Sequence, residues 1–201
     1  MKRLLIKQLF SKENKMNVFD FDGTIYDGDS TKDFFMYCLK NYKIKSHIFP
    51  VMWYGAGFGL RIVKKKTFKQ KLLSFVAKID DIDKAVLDFW QINKKKIKKF
   101  YMEMKQDTDI IISASPEFLL KPICDELGVT MLGTRVSNKT GLFDGENCHG
   151  QEKVRRLAEL NPDAEIEEFY SDLYCDTPLA RLAKKAYIVK GEKLTPWKKY
   201  K

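Results

Sequence analysis

The stretch Val18-Phe19-Asp20-Phe21-Asp22-Gly23-Thr24 constrains this chain more than any other. Apolar residues run into two aspartates at alternate positions, and a glycine follows at once. That pattern predicts a buried strand of a parallel sheet that ends in a tight turn. Ligands of open α/β sheets bind outside the carboxyl ends of the strands, and alternate side chains of a strand point the same way. Asp20 and Asp22 can therefore reach one small site. Two carboxylates so placed repel, and the arrangement becomes reasonable if a divalent cation offsets their charge while one acts as nucleophile and the other moves protons. The plainer alternative is a strand closing in an Asx-type turn, its carboxylates capping backbone amides.

Further along, Asp109-Ile110-Ile111-Ile112 predicts a second buried strand, followed by Ser113-Ala114-Ser115-Pro116. Ser115 reads as a helix N-cap and Pro116 as the first helical residue, with the helix running to about Leu127 before Gly128. A strand, a serine and a helix N-terminus in succession make a phosphate site, because amide donors and the positive end of the helix dipole face the anion. Val129 to Leu132 predicts a short strand, and Asn138-Lys139-Thr140-Gly141 the turn of a hairpin. Gly150 is followed three residues later by Lys153 at a helix start. The strand Ile166 to Tyr170 leads to Asp172 and, four residues on, Asp176. Ala186 to Val189 reads as the final strand, and the lysine-rich tail Thr195 to Lys201 carries no assignment.

These four segments, in this order, resemble the motifs of the haloacid dehalogenase-like (HAD) superfamily, in the phosphoserine phosphatase-like branch whose helical cap follows the first motif. The resemblance implies a Rossmann-like α/β core, residues 16–29 and 107–201, with a parallel sheet in the order 5-4-1-2-3 and an all-helical cap at 30–106. It implies that Asp20 attacks phosphorus and Asp22 is the general acid and base. Ser113, Ala114, Thr24 and Lys153 would bind the phosphate, Lys153 also screening Asp20. Asp20, Asp172 and the backbone carbonyl of Asp22 would hold the metal, with Asp176 behind them. Only two histidines occur, His47 and His149, so the acids must carry the site, and hard carboxylate oxygens select Mg2+ over zinc. The implied activity is Mg2+-dependent hydrolysis of a phosphomonoester through an aspartyl phosphate.

Charge is distributed unevenly. Residues 30 to 105 hold 18 Lys and Arg against 6 Asp and Glu, a net +12, which leaves −2 for the rest of a chain whose total is +10. A cap sets specificity, so this excess points to an anionic substrate or an anionic surface nearby. The branch's acidic pair after the first motif is replaced by Tyr26-Asp27-Gly28-Asp29, which argues against an amino-acid substrate. A small phosphorylated metabolite is the first expectation, and a phospholipid headgroup at an anionic membrane the second. A third is a non-enzymatic basic module binding lipid or nucleic acid, although RNA binding lacks any glycine-aromatic signature.

Within the cap, Phe34, Phe35, Cys38 and Leu39, then Phe68, Leu72 and Phe75, then Val86, Leu87 and Trp90 fall on helical faces that predict a bundle core. The charge-free run Ile48 to Leu60 is too short to cross a bilayer. It reads best as a buried cap helix with glycines for close packing, ahead of an interfacial helix flanked by Arg61 and Lys64-Lys65-Lys66. Lys94-Lys95-Lys96 and Lys98-Lys99 read as a solvated helix face. Residues 1–15 form a basic leader, expected to be dispensable, without the pattern of an export signal. Cys38, Cys124, Cys148 and Cys175 make no C-x-x-C pair and are expected as reduced thiols in the cytoplasm.

Overall fold

The computed structural model describes residues 15–62 and 65–198, so the leader to residue 14, Val63, Lys64 and the last three residues lie outside it, as do the side chains of Lys65 and Lys66. Lys15, counted above with the leader, is the first residue of strand β1, Lys15–Phe19. Five helices follow before the next strand: α1 (Ser30–Asn41), α2 (Ile48–Gly59), α3 (Lys65–Leu73), α4 (Ile82–Asn93) and α5 (Lys99–Met104). Then come β2 (Ile110–Pro116), α6 (Glu117–Leu127), β3 (Thr130–Thr134), α7 (Gln151–Leu160), β4 (Glu165–Ser171), α8 (Thr177–Ala180), β5 (Lys185–Lys190) and β6 (Lys193–Pro196).

Among the described residues the strands form one sheet in the order β3-β2-β1-β4-β5-β6. The first five are mutually parallel and reproduce the expected order, with β1 in the centre between β2 and β4. β6 was not anticipated. It is a short exposed strand that turns back through Gly191, at φ 60°, to pair antiparallel with β5, and its polar sequence lacks a buried face.

Successive residues of the central strands serve opposite faces of the sheet. Val18, Ile110 and Ile112 pack with Leu157, Phe169 and Leu179 on one side. Phe19 and Ile111 join Leu119, Leu120 and Tyr170 on the other, and that core runs without a break into Phe34, Phe75, Phe89 and Trp90 of the helical segment. The Trp90 indole N–H donates to the Leu119 carbonyl at 2.6 Å, which ties α4 to α6. The helices between β1 and β2 are therefore seated on the sheet side that carries the aromatic residues. Leu87 was expected inside but is exposed, and Phe89 takes that place.

Two sequence expectations are overturned here. Ile48 to Leu60 does form a helix, but none of the residues of α2 is buried. A Cβ at Gly55 would lie 3.4 Å from the Phe68 ring, and Phe58 stacks on Phe68 at 5.4 Å between centroids. Nor does Ser115 cap α6. β2 continues through Pro116, whose ψ of 137° is extended, and the helix begins one residue later. Proline disfavours helical backbone at the residue before it, which holds Ser115 on the strand.

Candidate active site

The carboxyl ends of β1, β2 and β4 and the N-terminus of α7 bring together residues that are more than a hundred positions apart in the chain. At the end of β1 the Asp20 amide continues the ladder to the Tyr170 carbonyl at 2.9 Å, so its side chain emerges at the rim of the sheet. Residues 21 to 28 then fold back on themselves, with the Gly23 amide reaching the carbonyls of Tyr26 and Gly28, each at 2.9 Å. Gly23 has φ 73°, and a Cβ there would sit 2.3 Å from Asp172 Oδ2. Only glycine lets the first and fourth motifs approach so closely.

Lys153 lies on the first turn of α7 and is 2% exposed. Its ammonium donates to Asp20 Oδ1 and to Asp176 Oδ2, each at 2.7 Å, and the Ser171 hydroxyl donates to the same Asp176 oxygen at 2.9 Å. Gly150, at φ 59°, sets the entry to that helix. Asp176 is thus engaged with the lysine and a serine. Burial pushes the Asp20 carboxyl up, Lys153 draws it down, and the nearby Asp176 charge adds to the rise, which remains the net direction. Burial alone would lower the Lys153 ammonium, but the two carboxylates outweigh it and the group is raised.

Asp22 faces a different set of partners. Its Oδ1 accepts the Ser30 amide at 2.7 Å and its Oδ2 the Ser115 hydroxyl at 2.5 Å. Ser115 is held in turn by the hydroxyls of Thr31 at 2.8 Å and Ser30 at 3.2 Å, so the start of α1 and the end of β2 close around one carboxyl. Burial and then the charge of Asp29 raise Asp22 to about 6, even against the hydrogen bonds from Ser115 and Ser30. A carboxyl raised to about 6, two residues from a lysine-paired carboxyl, is equipped to pass protons in both directions.

Ser113 is fully buried and its hydroxyl oxygen accepts the Ser115 amide at 3.0 Å. Ala114 presents its carbonyl to Thr134 Oγ1 at 2.7 Å and to Lys69 Nζ at 3.2 Å. Thr24 is also buried, but its amide bonds the Phe21 carbonyl at 3.3 Å and its hydroxyl oxygen accepts the Asp172 amide at 2.9 Å. In this structure Thr24 secures the loop that carries Asp172. Asp172 itself is raised to about 7, by burial first and then by the Asp20 charge. One of its oxygens, Oδ1, is buried without a hydrogen-bond partner.

That orphaned oxygen bears on cation binding. Among the described residues no group of three or more His, Cys, Asp or Glu side chains is arranged around one point. Asp20 and Asp172 offer two carboxylates in electrostatic contact, and a buried acid without a donor leaves negative charge uncompensated. An oxygen-only set with two side-chain ligands suits a hard divalent cation that keeps several waters and binds phosphate oxygens. The residues fit such an ion.

Lys98 was missed. It was read with its neighbours as a solvated lysine, yet it is 6% exposed and its ammonium donates to the Gly23 carbonyl. Burial lowers its pKa, opposed by Asp27, Asp172 and Glu192. Nothing in the local pattern separates it from the exposed lysines on either side. Ser115 was noticed, but for the wrong reason.

A central parallel strand ending in two carboxylates, with a buried lysine paired to the first, defines an α/β protein with an acid-rich site at the carboxyl end of its sheet. The family model for haloacid dehalogenase-like hydrolases matches residues 18–181, and this chain belongs to that family. Protein CicA of Caulobacter vibrioides is 36% identical over 81 residues, 37% of this chain and 36% of that protein, so the chain spans little more than a third of that relative's length in the match. A protein of unknown function from Bordetella pertussis Tohama I superposes with a TM-score of 0.72 at 15% identity, covering 86% of this chain and 88% of that one. A phosphoserine phosphohydrolase-like protein from Francisella tularensis gives 0.56 at 19% identity, covering 86% and 85%. A probable phosphoserine phosphatase from Vibrio cholerae gives 0.61 at 14% identity, covering 87% and 56%. These structural likenesses are to the fold. Among the described residues no helix is long and apolar enough to cross a membrane.

Proposed function

We propose that this protein is a Mg2+-dependent phosphatase that hydrolyses a phosphomonoester through an aspartyl phosphate on Asp20, with residues 30–106 as the cap over the site. Asp20 attacks phosphorus, forming an O–P bond as the bond to the leaving oxygen breaks, and Asp22 gives that oxygen its proton. Asp22, now a carboxylate, takes a proton from water as the water oxygen attacks phosphorus, releasing phosphate and restoring Asp20. Lys153 favours the ionised form of Asp20 and supplies positive charge where phosphoryl oxygens gather. Ser113 and the Ala114 backbone would hold the phosphate, and Asp176 fixes the lysine. Asp20, Asp172 and the Asp22 carbonyl would hold Mg2+, which supplies charge neutralisation of the phosphate when bound.

The observation that carries this reading is the split between neighbouring acids: Asp20 paired with a buried ammonium, and Asp22 raised to about 6 within a ring of hydroxyl and amide donors. The test is mass spectrometry of acid-quenched enzyme after mixing with a generic phosphomonoester and Mg2+. A phosphoryl group on the peptide containing Asp20, absent from Asp20→Asn, supports it; turnover that persists in Asp20→Asn overturns it.

The substrate we propose is a small phosphorylated metabolite in the cytoplasm, a reducing compartment that suits the buried thiols of Cys38, Cys124 and Cys148. A second reading, hydrolysis of a phosphomonoester on a phospholipid headgroup, is favoured by the solvent-facing apolar helix α2. A panel of soluble and lipid phosphomonoesters separates the two. A purely non-enzymatic basic module has less support, since it leaves the convergence of Asp20, Lys153 and Asp172 without a purpose.

A further inference from the structure

Helix α2 presents its hydrocarbon to solvent along a single stripe. Phe49, Met52, Trp53 and Leu60 are 77%, 65%, 80% and 71% exposed, and with Ala56 they recur at the spacing of one helical face. The opposite face meets α3 through Gly55 and Phe58. A contiguous apolar stripe of this kind on a globular protein marks a surface with a partner.

The charge of the segment that carries it says which partner. From residue 34 to residue 79 the sequence holds ten Lys and Arg and no Asp or Glu. A second copy of the chain would bring the same positive charge to the same place and repel. Nucleic acid would satisfy the lysines but leave Phe49, Met52 and Leu60 against water. An anionic lipid surface answers both features, since acyl chains take the stripe and headgroups take the cations. Trp53 and Tyr54 suit the headgroup zone, and a helix of 12 residues, about 18 Å long, lies in the interface and cannot span it.

We propose that α2 docks the protein peripherally on anionic phospholipid membranes, lying in the interface with Phe49, Met52, Trp53 and Leu60 inserted, in a segment whose net positive charge draws it to the headgroups. The stripe faces away from α3, the helix whose Lys69 reaches the Ala114 carbonyl at 3.2 Å and Asn147 Oδ1 at 3.3 Å. Membrane docking stands apart from the hydrolytic reading, because partitioning onto a membrane needs no turnover.

Co-sedimentation of the full chain with phosphatidylcholine vesicles, with and without phosphatidylglycerol, tests it. The expected result is binding to the phosphatidylglycerol vesicles that weakens with salt and falls about ten-fold or more in Trp53→Glu and Met52→Glu. Both side chains are exposed, so hydrolysis of a soluble phosphomonoester should be unchanged in these variants. Failure to sediment with anionic vesicles overturns the proposal, and so does binding that both variants retain. Dimerisation abolished by Trp53→Glu, without vesicle binding, overturns it by assigning the stripe to a second copy.

Discussion

Lys153 and Trp53 are each placed against the usual preference of the residue, the lysine 2% exposed and the tryptophan 80%. The two are compensated differently. Lys153 has its counter-charges within the chain, Asp20 and Asp176, each at 2.7 Å, and a buried cation with two paired carboxylates is a finished device before any ligand arrives. Trp53 and its neighbours on α2 have no such answer among the described residues. The site floor is preorganised for an anion that it meets briefly; the helix is an unfinished interface. The contrast also separates what a substitution does in each place, because changes on the floor alter chemistry and stability together and changes on α2 alter neither.

The largest effect should come from the floor. Asp20→Asn removes the attacking group and should lower turnover of a generic phosphomonoester by at least about 10⁴-fold with Mg2+ present; a variant within ten-fold of the parent would sink the nucleophile assignment. Asp22→Ala should lose roughly 10²-fold or more in kcat, the scale for an acid/base group, with the phosphorylated form of Asp20 accumulating once its hydrolysis loses the base. Lys153→Met breaks the pairing itself. It leaves two buried carboxylates without their cation, and thermal unfolding should report a loss of about 3–5 kcal/mol at neutral pH. An unchanged Tm would mean that the lysine is not the keystone that the comparison makes it.

How far each region could be read in advance follows from where its information lies. Asp20, Asp22 and Lys153 stand at a strand end or a helix start within three residues of Gly23 or Gly150, and Asp172 stands just past a strand, so local punctuation marks them before any packing is known. The parallel order of the first five strands follows from the same alternation of strand and helix. Lys98 was not legible, because only the docking of residues 94–104 against the loop after β1 decides which lysine of the run reaches the Gly23 carbonyl. Ser115 was misassigned since Ser-Pro reads equally as a helix start or as a strand end, and its bond to Asp22 spans 93 residues. The run Ile48 to Leu60 misled for a more basic reason. A charge-free helix has the same composition whether protein or lipid is to cover it, and only the surrounding fold shows that protein does not.

The remaining prediction, small over any one pH unit, divides the two regions most cleanly, because it depends on titration. Asp172 is raised from 3.8 to about 7 by burial and by Asp20. Its folded pKa lies above the unfolded value, so below about 7 the folded chain holds a proton that the unfolded chain has released, and stability without metal should fall as pH rises from about 4 to about 7. Mg2+ binds the carboxylate, so its affinity should move the other way, strengthening by up to about ten-fold per pH unit as Asp172 deprotonates and levelling off above about 7. Isothermal titration in buffers of different ionisation enthalpy should then find close to one proton released per Mg2+ near pH 6 and few above pH 8. Affinity that is flat across this range would remove Asp172 from the metal set. The helix offers the contrast: from Ile48 to Gly59 it contains no acidic or basic side chain, so vesicle binding should hold constant across the window in which metal binding changes.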